Sequence, residues 1–310
     1  MEKYIQKTII AVLKGEDYRE YVLATINDRF LEMANRLTSL VFDYKIKGGN
    51  WIDNLLKDMF DEKGNQSKFQ LLWFLGLNNK TIRNIAGGTS KNVILELGKK
   101  NIETFKKLFD ETGGSSRESE VSITIKKDEK KVVLDPIESA IYLNMIASMK
   151  LSIQGGVWSE VGKQAEKGLL YTIFKLLNID DDDYVLDDKE MKERNLVSSR
   201  QIDGIVYGSG KNPLHIEVKL LGIGNPEIGD EALAREVDLF LTDQLTDMMV
   251  GEIEKKGVKV IEFRNGKVLD EIYDFFKKAG VKCDPPPKLT WVEMEKKIKT
   301  ILNDFNIENE

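Results

Sequence analysis

Three residues in this chain have the types and the spacing to do chemistry together: Asp203, Glu217 and Lys219. They sit in two short β-type runs, Ile202-Asp203-Gly204-Ile205-Val206-Tyr207 and Leu214-His215-Ile216-Glu217-Val218-Lys219-Leu220, with Gly208-Ser209-Gly210-Lys211-Asn212-Pro213 between them. That bend is made of turn residues, so the pair reads as a β-hairpin. Alternation puts Ile202 and Val206 on one face of the first strand, and Leu214, Ile216, Val218 and Leu220 on the matching face of the second. Asp203, Glu217 and Lys219 fall on the other face. A hairpin folded symmetrically about Gly210 sets Asp203 directly opposite Glu217, with Cβ atoms about 4.5–5.5 Å apart. Like charges so placed destabilise a sheet. Two carboxylates gripping one divalent cation would remove the conflict.

A plainer reading leaves both acids on a solvated sheet face, paired with Arg200 and Lys219. Other chemistries are easier to set aside. His215 is the sole histidine and Cys283 the sole cysteine, so neither a histidine-based triad nor a thiolate zinc site can be assembled within the chain. Gly222-x-Gly224 lacks the strand-to-helix setting and third glycine of a dinucleotide fingerprint, and no Gly-Lys-Ser/Thr phosphate loop occurs. No nucleotide cofactor is expected. A packed or hydrogen-bonded role suits His215 better than a phosphate contact.

The elements that must position these residues follow from periodicity. The chain has 310 residues, 41% hydrophobic and 32% charged, with a formal net charge of −6. That balance argues against indiscriminate coating of nucleic acid, although a basic cleft can coexist with an acidic exterior. Without a 18–20-residue apolar run or a signal-peptide layout at Met1-Glu2-Lys3-Tyr4, a cytoplasmic protein with no membrane contact is expected.

Residues 1–150 read as a helical region. Apolar spacing marks helices near 5–13, 17–44, 51–59 and 69–75. Lys80 to Ile85, a Gly87-Gly88 turn and Lys91 to Leu97 resemble a helix-turn-helix, with Thr89 or Ser90 as cap and a third helix opening at Gly98. In that reading Lys80, Arg83 and Lys91 lie near DNA, with Lys99 and Lys100 beside them. A small β-hairpin is expected at 121–134. Asp135-Pro136-Ile137-Glu138 is a strong helix start, running to about Lys150. Residues 151–310 begin with a break at Gly155-Gly156 and a helix from Ser159 to Leu177. An acidic connector, Asp180 to Asp188, leads to the hairpin. Strands at 237–241 and 258–263, helices at 245–256 and 268–279, and a last helix capped by Thr290 and Glu293 complete an α/β unit. The fold class is therefore α/β, a mixed sheet flanked by helices, after a mainly α-helical N-terminal region.

Asp, thirteen residues, then Glu-x-Lys, with an acidic helix before and a strand–helix–strand after, resembles the core of the PD-(D/E)XK nuclease superfamily over Ser159 to Phe263. Within it the chain looks most like a type II restriction endonuclease. Ser159-x-x-Gly162-Lys163-x-x-Glu166, the Arg200-Gln201-Ile202-Asp203 lead-in and the loop Gly222 to Asp230 point to the CfrBI-like group. Gln201-Ile202 stands where the superfamily's name has proline. The resemblance implies a homodimer that cuts double-stranded DNA with Mg²⁺, leaving 5′-phosphate and 3′-hydroxyl ends. It makes Asp203, Glu217 and the Val218 carbonyl metal ligands, Lys219 the residue that orients water and stabilises charge, and Glu166 an outer carboxylate with Glu160 its rival. Lys163 and Arg200 become further DNA contacts. A repair or recombination nuclease with the same core, or a non-catalytic DNA-binding regulator, are the alternatives.

Overall fold

The computed structural model describes residues 3–48, 50–60, 68–88, 90–113, 121–193, 202–220 and 237–305. The chain divides into two compact units, Ile26–Trp158 and the combination of Met1–Thr25 with Ser159–Glu310. The first helix thus groups with the C-terminal half. Among the described residues no helix is long and apolar enough to cross a membrane.

After α1 (Lys3–Lys14), the unit Ile26–Trp158 takes in most of α2 (Arg19–Lys47), then α3 (Trp51–Phe60), α4 (Lys68–Phe74), α5 (Asn79–Ala86) and α6 (Lys91–Gly113). It continues with the hairpin β1 (Ile123–Lys127) and β2 (Lys130–Leu134) and the first part of α7 (Pro136–Leu176). The start of α7 is the capping box expected from its sequence. Asp135 Oδ1 accepts from the Glu138 amide at 2.9 Å, and Glu138 accepts from the Asp135 amide at 3.0 Å. Glu138 also takes the Lys45 ammonium at 3.0 Å, tying α7 to α2.

Two expected breaks are absent. The helix read as ending at Leu97, with another opening at Gly98, is one element, because Gly98 serves packing rather than termination. A Cβ there would lie 2.3 Å from Leu75 Cδ1 and 2.8 Å from its Cβ, so the missing side chain lets α6 lie against the segment that follows α4. Similarly, α7 runs unbroken through Gly155-Gly156 for 41 residues. Glycine lowers helix propensity by about 1 kcal/mol per residue, a weak preference that flanking turns outweigh.

The other unit is built on a five-stranded sheet in the order β3-β4-β5-β6-β7. Its strands are β3 (Tyr184–Val185), β4 (Gly204–Tyr207), β5 (Pro213–Lys219), β6 (Leu239–Thr242) and β7 (Lys259–Glu262). β4 is antiparallel to both β3 and β5, and β5, β6 and β7 are parallel. This is the mixed α/β architecture expected, with one strand more. Tyr184-Val185 lies inside the stretch read as an acidic connector, where a short 3-10 turn at Asp181–Asp183 precedes it. Short α8 (Asp188–Glu193) follows, and α9 (Asp247–Glu254), α10 (Val268–Lys278) and α11 (Trp291–Asp304) complete the unit. Thr290 and Glu293 form the capping box of α11.

The hairpin was expected to have one dry face. It has two. Ile205, Phe240 and Val260 pack with Ile253 of α9 and Met191 of α8 on the Asp203 side. On the opposite side α7 meets α10, with the Phe174 and Phe276 rings 6.2 Å apart at their centroids. A sheet covered on both faces reads as continuous apolar sequence rather than strict alternation, and Gly204-Ile205-Val206 are all buried.

Candidate active site

The register of β4 and β5 pairs Gly204 with Ile216, Ile205 with His215 and Val206 with Leu214. The ladder ends at Gly204: the Asp203 amide also donates to the Ile216 carbonyl, at 3.1 Å, so Asp203 and Gly204 both lie across from Ile216. The register is symmetric about Gly210 from Gly204 to Tyr207.

How the carboxylates are held follows from where β4 ends. Even-numbered residues of β5 turn their amides toward β4, and odd-numbered ones toward β6, as the Asp238 amide bonding the His215 carbonyl shows. Beyond Asp203 the edge of β5 has outrun the paired part of β4. Its next two amides on that edge are taken by side chains: Val218 N–H donates to Asp203 Oδ2 at 2.8 Å, and Leu220 N–H to Glu166 Oε1 at 3.5 Å. Glu166 arrives from α7, and Gly204 sets how near that helix can come. A Cβ on Gly204 would lie 2.8 Å from Leu170 Cδ1, and Leu170 is one helical turn past Glu166. The glycine after Asp203 thus leaves room for a side chain of the helix that carries the second acid.

Glu217 is completely buried, so it does not lie on a solvated sheet face, and Glu166 is 8% exposed. Lys219 Nζ lies 2.9 Å from Glu217 Oε1 with its side chain 15% exposed. Asp203 is half-buried, its carboxyl densely surrounded by protein. Burial pushes the Asp203 carboxyl well above the ordinary carboxylate range, and the charges of Glu217 and Glu166 push it further; the Val218 amide and the Lys219 ammonium offset only part. For Lys219, burial alone would favour the neutral amine. Glu217, Glu166 and Asp203 override it and raise the ammonium above its ordinary value. Among the described residues three acids thus gather near the Lys219 ammonium.

The donors present fit a hard divalent ion. Among the described residues no group of three or more His, Cys, Asp and Glu side chains closes around a metal position. Two carboxylates and a backbone carbonyl are hard oxygen donors of the kind divalent cations take. The Val218 carbonyl shares the β5 edge on which Asp203 sits, by the same strand alternation that directs its amide.

Other candidate residues are placed unevenly. Lys163 is exposed on α7, one turn before Lys167, which pairs with Asp188 at 2.5 Å. Arg200, Thr89 and the loop 222–230 lie outside the described residues, as do the side chains of Lys80 and Glu160. Arg83 is exposed near the end of α5 and Lys91 half-buried at the start of α6. Between them Gly87 takes the left-handed conformation at φ 65°, and Ser90 Oγ caps α6 by accepting from Val93 N–H at 3.4 Å. His215 is anchored by its backbone, its amide donating to Asp238 Oδ2 at 2.7 Å. Gly204 was missed as a positioning residue by sequence reasoning, since the approach of α7 is a long-range fact.

A sheet of antiparallel and parallel strands between helices, with acids and a lysine at the ends of its central strands, is the architecture of restriction-endonuclease-like nucleases. The chain matches the family model of the CfrBI restriction endonuclease over residues 2–250, and it belongs to that family. It is therefore a nuclease of the restriction type, acting on DNA by sequence-specific cleavage. No curated protein and no solved structure matches it.

Proposed function

We propose that this chain is a Mg²⁺-dependent type II restriction endonuclease that hydrolyses double-stranded DNA at a specific sequence as a homodimer. The observation that carries the reading is the cluster of Asp203, Glu217 and Glu166 around Lys219, held by the ends of β5 and by α7. A sheet interior that buries these acids together is unfavourable unless the site has work to do.

Asp203, Glu217 and the Val218 carbonyl would hold Mg²⁺, which when bound supplies charge neutralisation and lowers the pKa of coordinated water. The protein's own part is positional and electrostatic. Asp203 and Glu166 are fixed by backbone amides, so their oxygens are aimed before DNA arrives. Lys219 stands as an ammonium rather than a free amine in the metal-free site. It therefore directs the attacking water and stabilises the negative charge that develops on the phosphate, and a proton-accepting role requires the surrounding acids to be neutralised first. Glu166 orders water from the helix side.

Lys163 and Arg200 are proposed to grip the phosphates near the cut. Lys80, Arg83 and Lys91 would contact the duplex from the α5–turn–α6 element. Symmetric cutting of both strands requires two copies of the site, hence the homodimer.

The test is incubation of the purified protein with long unmethylated phage DNA and Mg²⁺, followed by sequencing of the ends. Discrete fragments with one shared end sequence are expected, with Asp203→Ala and Lys219→Ala inactive but still able to bind DNA. Cleavage retained by either variant would refute the site, and non-discrete cutting would favour a repair-type nuclease.

A further inference from the structure

Across the face that carries Asp203 and Glu217, the parallel register sets Lys219 beside Thr242, and Thr242 beside Glu262. The row before it reads Glu217, Phe240, Val260, so it turns apolar as soon as β5 is left. The Lys219 row stays polar, and its middle member is unusual. Thr242 is 0% exposed and its hydroxyl has no hydrogen-bond partner among the described residues. Buried hydroxyls are paired in the great majority of cases, and an orphan is unfavourable relative to valine, which has the same shape without the polar atom. The neighbouring Glu262 is already engaged, accepting from the Leu245 amide at 2.7 Å. Nor is Thr242 needed to satisfy the next residue, since buried Asp243 takes Arg264 in a two-point ion pair at 2.5 and 3.2 Å.

We propose that Thr242 is a positioning residue for cleavage, its hydroxyl accepting from the Lys219 ammonium once DNA occupies the site. A lysine head is a flexible charge with three donors, and fixing its direction takes acceptors on more than one side. Glu217 supplies one at 2.9 Å. Thr242 lies on the adjacent strand, about 4.8 Å across the ladder, and its β-branched side chain has few rotamers, so the hydroxyl's direction is largely fixed. The inference rests on the catalytic reading of Lys219.

The experiment compares T242V, T242A and T242S with the wild type and with K219A, on the same phage DNA. Single-turnover cleavage is measured with Mg²⁺ and DNA affinity with Ca²⁺ in its place. T242V is expected to cleave about tenfold more slowly at saturating DNA, with unchanged affinity and a metal-free melting temperature no lower than wild type. T242A, which adds no methyl group at the hydroxyl position, should be slowed alike. T242S keeps the hydroxyl and should stay close to wild type. The proposal is overturned if T242V and T242A cleave at the wild-type rate while K219A is inactive, or if T242S is slowed as much as T242V. An active K219A would instead remove the catalytic reading itself, a distinct result.

Discussion

Lys219→Met separates the structural duty of this lysine from its chemical one. Glu217 is fully buried, and the Lys219 ammonium lies 2.9 Å from its Oε1. Removing one member of a buried ion pair typically destabilises by about 3–5 kcal/mol, because a buried charge loses its counter-charge. Lys219 retains 15% side-chain exposure, so water reaches part of the vacated space, and the lower end, about 3 kcal/mol, applies. At roughly 2–4 °C per kcal/mol for chains of this order, the metal-free protein should melt about 6–12 °C lower. Glu217→Gln added to Lys219→Met removes the stranded charge and should bring stability back to within about 1 kcal/mol of wild type, a coupling of at least about 2 kcal/mol in a double-mutant cycle. Mg²⁺ should raise the melting temperature of Lys219→Met more than that of wild type, since it restores a positive charge beside Glu217. Cleavage should be absent in both variants whatever their stability. A Lys219→Met protein that melts within a degree of wild type would show that Glu217 does not depend on this ammonium, and the electrostatic account of the site would fall.

Three further outcomes can be checked. Because the folded-state pKa of Asp203 lies above its ordinary value near 3.8, this group favours folding at low pH, and that contribution is lost as pH rises through the raised value. Asp203→Asn should therefore increase the metal-free melting temperature at about pH 8, and the gain over wild type should shrink toward about pH 4. Gly98→Ala drives a methyl to 2.3 Å from Leu75 Cδ1, and overpacking of about 1–3 kcal/mol exceeds the gain of up to about 1 kcal/mol in helix propensity. A stabilised Gly98→Ala in denaturant unfolding would contradict that packing. Asp135→Ala loses the cap on Glu138 N–H, about 1 kcal/mol; Glu138→Ala should lose more in the same assay, because Lys45 is released as well.

The hairpin, its register and its acids were legible because they are local. A bend centred on Gly210 and a two-residue period carry the pairing of Gly204 to Tyr207 with Ile216 to Pro213 without help from the rest of the chain. The parallel strands and their connecting helix were legible from their apolar runs. What failed was the reading of glycine. Gly98 and Gly155-Gly156 look like helix ends in sequence, and only the packing partner, Leu75 for Gly98, shows why a helix continues through one. Gly204 carries the same lesson at the site, since its meaning depends on Leu170, distant in sequence. The strand Tyr184–Val185 was hidden by the acids around it. Thr242 gave no signal, being an ordinary β-former at an ordinary position until its burial and its neighbour are known.

The two amides that Asp203 and Glu166 occupy on the edge of β5 turn the backbone into a gauge of the site. Val218 N–H and Leu220 N–H are shielded from solvent by side-chain carboxylates, where a sixth strand or a longer β4 would otherwise have sealed them. Their hydrogen-exchange rates therefore report carboxylate placement rather than sheet stability. Exchange at Val218 should accelerate in Asp203→Ala and exchange at Leu220 in Glu166→Ala, each leaving the amide of Asp203, bonded to Ile216, unchanged or nearly so. Followed in solution, these positions would give a readout of how the acids are held that is independent of any DNA cut.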